Sequence, residues 1–258
     1  MTLSICHLYP DLMDTYGDMG NILSIKYRCQ QRGIKVNYTK ISINDNLKSN
    51  IYDLYFFGGG QDKAQEVVGK DLTKKAKTLR GEIENGCVLL SICGGYQLLQ
   101  KYFKTADGTK IPGIGLFNAY TEASNMRMMD NLLVEINPKL QKQISLSYSN
   151  LQPKIYNLSS KLIGFENHSG KTYLEEGTMP MGTVIKGYGN NGEDKLEGAV
   201  YKNAFGCYLH GSLLPKNPHL ADYLITKALE RKYKKIKLEP LDDTIEWQAH
   251  QFAVKNLN

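Results

Sequence analysis

The 258-residue chain is 41% hydrophobic, 10% aromatic and 22% charged, a composition that excludes a disordered chain, a collagen and a coiled coil. Its 32 basic and 26 acidic residues give a formal net charge of +6. Charges of both signs are interspersed along the chain, so this excess does not predict nucleic-acid binding.

The first half of the chain alternates short apolar stretches with longer segments of helical period. This alternation predicts βαβ units around a mostly parallel sheet. Strands are predicted at 3–9, 34–41, 51–57 and 87–92, with one helix ending at Gly33 and another spanning 64–85. The strand at 87–92 is almost wholly apolar, as expected for a strand buried on both faces, and it leads directly into Cys93 and a short helix.

The second half has a different pattern. From about residue 105 to 206, β-like stretches alternate with glycines and turns, which predicts a β-rich addition without a long helix. Helices are predicted again at 217–232 and 242–254. We therefore expect a single α/β domain over 1–258, with a possible C-terminal helical extension at 242–258.

Cys93 is the candidate nucleophile. It lies between a buried strand and a helix, where small neighbours permit a tight turn and the following amide can stabilise an oxyanion. The helix N-terminus also favours the thiolate, which is the attacking form. The alternative is that Cys93 is a small buried residue without a chemical role, as free cysteines often are.

A cysteine nucleophile needs a base, and two histidines are candidates. His210 follows an apolar, strand-like stretch, and the carboxyl ends of parallel strands meet at one edge of a sheet, so His210 can approach Cys93. His168 is the second candidate. Residue chemistry favours His210, although a buried, hydrogen-bonded histidine is an alternative for either position.

Three separated motifs resemble those of class I glutamine amidotransferases, in the branch shared with cobyric acid and cobyrinic acid amide synthases. They lie at 58–61 (GGGQ), 93–97 (CGGYQ) and 208–211 (YLHG). Within this branch, 9–21 (YPDLMDTYGDMGN) and 164–170 (GFENHSG) are similar to GatD-type subunits of lipid II isoglutaminyl synthase. The resemblance implies the class I glutamine amidotransferase (flavodoxin-like) fold, a mostly parallel central sheet flanked by helices with β-rich additions in the second half.

The resemblance also implies roles for individual residues. Cys93 would attack the side-chain amide carbon of L-glutamine, and His210 would act as its base and then protonate the departing ammonia. The backbone amides of Gly94 and Gly59 would bind the oxyanion. We expect these four residues to form the catalytic centre.

Substrate contacts follow from the same resemblance. Gln97 would contact the glutamine substrate, and Arg127 would bind its α-carboxylate, which suits a bidentate guanidinium. A solvated loop arginine is the alternative for Arg127. Many class I enzymes orient the histidine with a glutamate two residues later, where this chain has Ser212; Glu166 is a candidate substitute.

The chain has no G-x-x-x-x-G-K-[ST] phosphate loop, and its G-x-G-x-x-G match at 187–192 precedes no long helix, so we expect a β-turn loop there. Cobyric and cobyrinic enzymes carry an ATP domain upstream of the first amidotransferase strand, where this chain begins. The resemblance therefore implies no cofactor or metal in this chain and a separate MurT-like, Mur-ligase-like subunit that holds ATP and Mg²⁺. That subunit would bind lipid II and amidate the α-carboxyl of its stem-peptide D-glutamate to D-isoglutamine.

The alternatives are an amidotransferase for a corrinoid-like carboxylate, a non-catalytic binding module on the same fold, and a cysteine peptidase. Five cysteines without a C-x-x-C pair argue against a disulfide framework and indicate a reducing compartment. With no basic leader and no apolar window near the roughly 18 residues of a membrane span, we expect a cytoplasmic protein. The lysine-rich helices near Lys74 and Lys234 and the Trp247 tail are candidate partner interfaces, with a solvated face or a core position as the alternative.

Overall fold

A computed structural model describes residues 1–148 and 160–257 of the chain. The first half alternates strands and helices as expected. Its elements are β1 (Thr2–Leu8), α1 (Met19–Gln30), β2 (Lys35–Ile41), β3 (Leu54–Phe57), α2 (Asp62–Glu84), β4 (Val88–Ile92) and α3 (Gly94–Leu98).

The second half begins with short strands and ends in helices. Its elements are β5 (Tyr102–Lys104), β6 (Lys110–Pro112), β7 (Ala119–Ile136), α4 (Pro138–Tyr148), β8 (Lys161–Leu174), β9 (Gly182–Lys186), β10 (Leu196–Glu197), β11 (Ala199–Tyr201), β12 (Ala204–Cys207), α5 (Leu213–Lys216), α6 (Pro218–Tyr233) and α7 (Thr244–Leu257).

The central sheet has the strand order β11-β12-β4-β3-β1-β2. Every neighbouring pair is parallel except β11 with β12. Its middle strands β3 and β4 are buried along their whole length, which explains why their sequences are almost wholly apolar. The predicted parallel α/β sheet is therefore confirmed, and the carboxyl ends of β1, β3, β4 and β12 lie along one edge.

The β-rich addition forms a second sheet of order β10-β9-β7-β5-β6, with β8 paired to β7. The long β7–β8 hairpin is antiparallel and contains an irregularity between Ala123 and Met128. An isolated bridge between Phe165 of β8 and His210 joins this hairpin to the segment that follows β12. The second sheet thus contacts the central sheet at the edge where the parallel strands end.

The stretch between 105 and 206, which was expected to lack a long helix, contains the 11-residue helix α4. Pro138 occupies the first helical position, where its missing N–H costs no hydrogen bond. Leu140 and Ile144, one helical turn apart, are fully buried, and α4 packs against α6. The spacing of four is a helical signal that the surrounding β-like pattern obscured.

The C-terminal helix is attached to the rest of the protein by buried contacts. The Arg28 guanidinium of α1 pairs with Asp222 of α6 and with Asp243, just before α7, each at 2.6 Å. Trp247 of α7 is buried and stacks on His219 of α6 at 5.3 Å between ring centroids. Removing one member of such a buried ionic cluster would leave the others without a counter-charge.

Across 1–148 and 160–257, no helix is long and apolar enough to cross a membrane. Within the same residues, no group of three histidine, cysteine or acidic side chains could hold a metal ion.

Candidate active site

Cys93 lies on a strained turn between β4 and α3. Its backbone has φ 49° and ψ −110°, a conformation that is unfavourable for a residue with a side chain. Hydrogen bonds hold it there, since Cys93 N–H donates to Cys207 O at 2.8 Å and Gln97 N–H donates to Cys93 O at 2.9 Å. Only glycine fits at Gly95, because a Cβ would lie 2.6 Å from Phe57 O. This is the predicted strand-to-helix elbow, and it presents the sulfur at the sheet edge.

His210 is fully buried at the same edge and its Nδ1 lies 3.1 Å from Asp18 Oδ1. A carboxylate oxygen can only accept, so Nδ1 carries the hydrogen and Nε2 is left for proton exchange. Burial opposes the charged imidazole, but the negative charge of the Cys93 thiolate and the bond to Asp18 outweigh it and raise the pKa of His210 to about 10.

Asp18 is the orienting carboxylate that the sequence analysis did not identify. It lies between β1 and α1 and is fully buried. Its second oxygen, Oδ2, accepts a hydrogen bond from Gly59 N–H at 2.7 Å. Ser212, at the position of the usual glutamate, donates instead to Gly17 O at 2.6 Å and so braces the loop that carries Asp18.

The candidate Glu166 is wrong as the orienting group for His210. Its carboxylate accepts hydrogen bonds from the N–H groups of Tyr188 at 2.6 Å and Gly189 at 2.8 Å. Glu166 therefore holds the glycine-rich loop at 187–192, which is a turn and not the start of a helix, as expected. The buried Glu166 carboxylate thus has its hydrogen-bond donors in this loop and not at His210.

His168 is packed as a structural histidine. Its Nδ1 donates to Gly170 O at 2.8 Å, and its ring stacks on Tyr208 with centroids 3.6 Å apart. Its Nε2 lies 3.7 Å from Glu166 Oε2. Burial lowers the pKa of His168 and keeps the ring neutral. The geometry therefore favours His210 over His168 as the partner of Cys93.

The amide assigned to Gly59 does not fit the oxyanion role, because this N–H is already committed to Asp18. Gly60 is better placed: a Cβ on Gly94 would lie 2.9 Å from Gly60 N, so the two backbones are in close contact. In the described ranges nothing accepts a hydrogen bond from Gly60 N–H. Gly94 begins α3, and its N–H has no acceptor within the helix. Gly94 and Gly60 are thus the donors available beside Cys93.

A cleft of about 610 Å³ opens over Cys93. Gln97 and Arg127 both line it, as the resemblance implies. Gln97 Nε2 donates to Tyr208 OH at 3.0 Å, which fixes its amide. Arg127 extends from the irregular part of β7 and donates from Nε to Asn167 Oδ1 at 2.6 Å and from a terminal nitrogen to Tyr16 OH at 3.2 Å.

Three further polar residues of α2 line this cleft, Asp62, Lys63 and Gln65. Burial raises the pKa of the Asp62 carboxyl, and the positive charge of Arg127 partly opposes that rise. Gln65, one turn later, is 2% exposed. The cleft is therefore lined by two basic side chains, Arg127 and Lys63, and one acidic side chain, Asp62. The three α2 residues add to those that the motifs had identified.

The chain is similar to a defined domain and to several curated proteins. Residues 4–218 match the CobB/CobQ-like glutamine amidotransferase domain. Subunit GatD of the glutamine-hydrolysing lipid II isoglutaminyl synthase from Staphylococcus aureus is 38% identical over 99% of this chain and 96% of its own length. The protein of the same name from Streptococcus pneumoniae is 40% identical over 94% and 87%.

More distant matches extend the comparison. A probable cobyric acid synthase from Methanococcus maripaludis is 30% identical over 74% of this chain but only 36% of its own length. Among solved structures, a glutamine amidotransferase from Thermotoga maritima superposes with a TM-score of 0.53 and 16% identity, over 99% of this chain and 93% of that chain. At this identity the structural likeness shows the shared fold alone.

Proposed function

The chain belongs to the CobB/CobQ-like glutamine amidotransferase family, and on this premise we propose that it is the glutaminase subunit of a two-component amidotransferase. The observation that carries the proposal is the arrangement at the sheet edge. Cys93 lies on a strained elbow at the carboxyl end of β4, and the buried His210, whose Nδ1 is held by Asp18, follows the neighbouring parallel strand β12. Nucleophile, base and orienting group are the components of covalent acyl transfer.

In the first half of the proposed reaction, Cys93 gives its thiol proton to His210 Nε2, and Cys93 Sγ attacks the side-chain amide carbon of L-glutamine. The carbonyl oxygen becomes an oxyanion, to which the N–H groups of Gly94 and Gly60 donate. His210 then gives the Nε2 proton to the amide nitrogen. The carbon–nitrogen bond breaks, ammonia leaves, and a γ-glutamyl thioester on Cys93 remains.

In the second half, water attacks the thioester carbon and gives a proton to His210 Nε2. The tetrahedral intermediate collapses, the carbon–sulfur bond breaks, and glutamate leaves with Cys93 again a thiolate. Asp18 accepts the hydrogen bond from His210 Nδ1–H throughout, so Nε2 is the nitrogen that takes up and releases the proton in both halves. One glutamine and one water give one glutamate and one ammonia.

Substrate recognition follows the charges of the cleft. Arg127 would bind the α-carboxylate of glutamine, and its bonds to Asn167 and Tyr16 limit the rotation of the guanidinium. The Asp62 carboxylate would accept a hydrogen bond from the α-ammonium of glutamine. Gln97 would contact the substrate from the first turn after the nucleophile.

The ammonia would serve a second subunit. The relatives that match nearly the whole chain are named subunits of lipid II isoglutaminyl synthase. We therefore propose a MurT-like, ATP- and Mg²⁺-dependent ligase as partner, acting in the cytoplasm, which amidates the α-carboxyl of D-glutamate in the lipid II stem peptide to D-isoglutamine. A corrinoid-like carboxylate as acceptor is the second candidate, supported by the lower-identity cobyric acid synthase relatives.

An isotope-transfer experiment separates the acceptors. The chain is mixed with a MurT-like ligase, ATP and L-glutamine labelled with ¹⁵N in its side-chain amide, and either lipid II or a corrinoid carboxylic acid is added. The proposal requires label in D-isoglutamine with lipid II, and none with the Cys93→Ala chain. Label in the corrinoid amide alone would assign the chain to the second acceptor.

A further inference from the structure

Tyr16 contacts two groups of the proposed catalytic site at once. It lies in the loop between β1 and α1, lines the cleft over Cys93 and is 45% exposed. Its hydroxyl oxygen accepts a hydrogen bond from a terminal nitrogen of Arg127 at 3.2 Å. Its ring packs against the ring of His210, with centroids 5.0 Å apart and an interplanar angle of 74°. One side chain therefore joins the arginine proposed to bind the α-carboxylate of glutamine to the histidine proposed as the base.

The backbone of Tyr16 is strained and held in place. Its φ of 54° lies in the left-handed region, which is unfavourable for an aromatic residue. On one side of it, Thr15 N–H donates to Gly59 O at 3.2 Å. On the other side, Ser212 Oγ donates to Gly17 O at 2.6 Å. These bonds fix the loop around Tyr16 and so limit the directions in which its side chain can extend.

The ring of Tyr16 acts on His210. Asp18 holds the imidazole at Nδ1, but a single hydrogen bond at one end leaves the ring able to tilt, and Nε2 at the other end must exchange protons. The Tyr16 ring packs across the imidazole and opposes this tilt by van der Waals contact. His210 has no exposed surface, whereas Tyr16 is exposed in the cleft. The Tyr16 ring therefore both steadies the base and helps to keep it out of solvent.

The hydroxyl of Tyr16 acts on Arg127. The guanidinium belongs to an exposed, flexible side chain, and ordering it for a carboxylate costs conformational entropy. Its Nε donates to Asn167 Oδ1 at 2.6 Å, and the bond to Tyr16 is a second point of attachment. Because Arg127 would contact the α-carboxylate and not the reacting amide, this attachment concerns substrate binding and not the chemical step.

Resting on the proposed function, we propose that Tyr16 is a positioning residue with two separable effects. Through its hydroxyl it orients Arg127 and lowers KM for L-glutamine. Through its ring it holds the His210 imidazole and raises kcat. A residue that only stabilised the loop would not divide its effects between KM and kcat in this way.

The test measures kcat and KM for glutamate release from L-glutamine by the chain with a MurT-like partner. Tyr16→Phe deletes only the hydroxyl and should raise KM about fivefold without lowering kcat. Tyr16→Leu also deletes the ring, so kcat should fall about tenfold in addition. Tyr16→Phe would thus retain the turnover that Tyr16→Leu loses. Tyr27 lies on α1, away from the residues that line the cleft, and Tyr27→Phe and Tyr27→Leu should change neither parameter.

A double-mutant cycle tests whether the hydroxyl acts through the guanidinium. In the Arg127→Met chain, Tyr16→Phe should raise KM no further, whereas Tyr16→Leu should still lower kcat. The role of Tyr16 alone would be overturned if Tyr16→Phe left KM unchanged, lowered kcat as much as Tyr16→Leu, or raised KM by the same factor with and without Arg127. No glutamate release by the unsubstituted chain with a folded, bound partner would overturn the proposed function and this role with it.

Discussion

The buried carboxylate of Asp18 accepts two hydrogen bonds at once, from His210 Nδ1–H at 3.1 Å and from Gly59 N–H at 2.7 Å. An Asp18→Asn side chain has only one acceptor oxygen. If that oxygen keeps the Gly59 amide, the NH₂ group faces His210 and donates to Nδ1. The hydrogen of the imidazole then moves to Nε2, and this tautomer cannot take a proton from Cys93 or from water.

The expected loss is large. Removing one charge-assisted hydrogen bond in a buried site costs about 3 kcal/mol, or roughly 10²-fold in rate. The wrong tautomer can extend the loss to about 10⁴-fold. We therefore expect kcat for glutamine hydrolysis to fall by about 10²–10⁴-fold in Asp18→Asn.

Two assays check this result. Glutamate release gives kcat, and the rate of Cys93 alkylation by iodoacetamide across pH reports the thiolate. Because Asp18 helps to raise the pKa of His210, the substitution should lower that pKa and reduce alkylation at neutral pH. Asp14→Asn is the control, since Asp14 is exposed and accepts a hydrogen bond from Met19 N–H in the same loop. Asp18→Asn with kcat within about fivefold of wild type would refute the orienting role.

Recognition of the two ends of glutamine should be separable: Arg127→Met should raise KM for L-glutamine about 10–100-fold while sparing inhibition by 4-aminobutanamide, which lacks the α-carboxylate. Asp62→Asn should weaken inhibition by 4-aminobutanamide but not inhibition by 4-carbamoylbutanoate, which lacks the ammonium. Equal effects of both variants on both analogues would contradict the roles of Arg127 and Asp62. Burial raises the pKa of Glu197 to about 8. In the unfolded chain, the Glu197 carboxyl loses its proton near its ordinary pKa of 4.5, whereas in the folded protein it keeps that proton up to about pH 8. The free energy of unfolding therefore falls as pH rises from 5 to 8. Glu197→Gln, which keeps an acceptor for Tyr208 N–H, should remove this slope from the thermal midpoint, and parallel curves for the two proteins would show that Glu197 does not cause it.

The parallel sheet and the position of Cys93 could be predicted because they depend on local signals. An almost wholly apolar strand, a pair of small residues and a following helix lie next to one another in the sequence. The placement of Cys93 and His210 at one edge of the sheet could be expected from topology, since both follow strands whose carboxyl ends meet there.

The orienting group could not be found in this way. Asp18 and His210 are 192 positions apart, and the polar loop after β1 contains several carboxylates with similar local surroundings. The position of this loop at the carboxyl end of a parallel strand indicated that one of its carboxylates could reach the site. Which carboxylate does so is decided by the three-dimensional structure. The choice of Gly59 or Gly60 as oxyanion donor has the same difficulty. The sequence of three consecutive glycines does not show which backbone N–H donates to the distant Asp18 carboxylate.

We expect glutamine hydrolysis to proceed through Cys93. This is tested by measuring glutamate release from L-glutamine by the purified chain, alone and with a folded, bound MurT-like partner, in comparison with the Cys93→Ala chain. Glutamate should be released in at least one of these mixtures, and Cys93→Ala should abolish the release while circular dichroism shows that its fold is retained. Release that persists in Cys93→Ala, or no release in either mixture, would contradict this expectation.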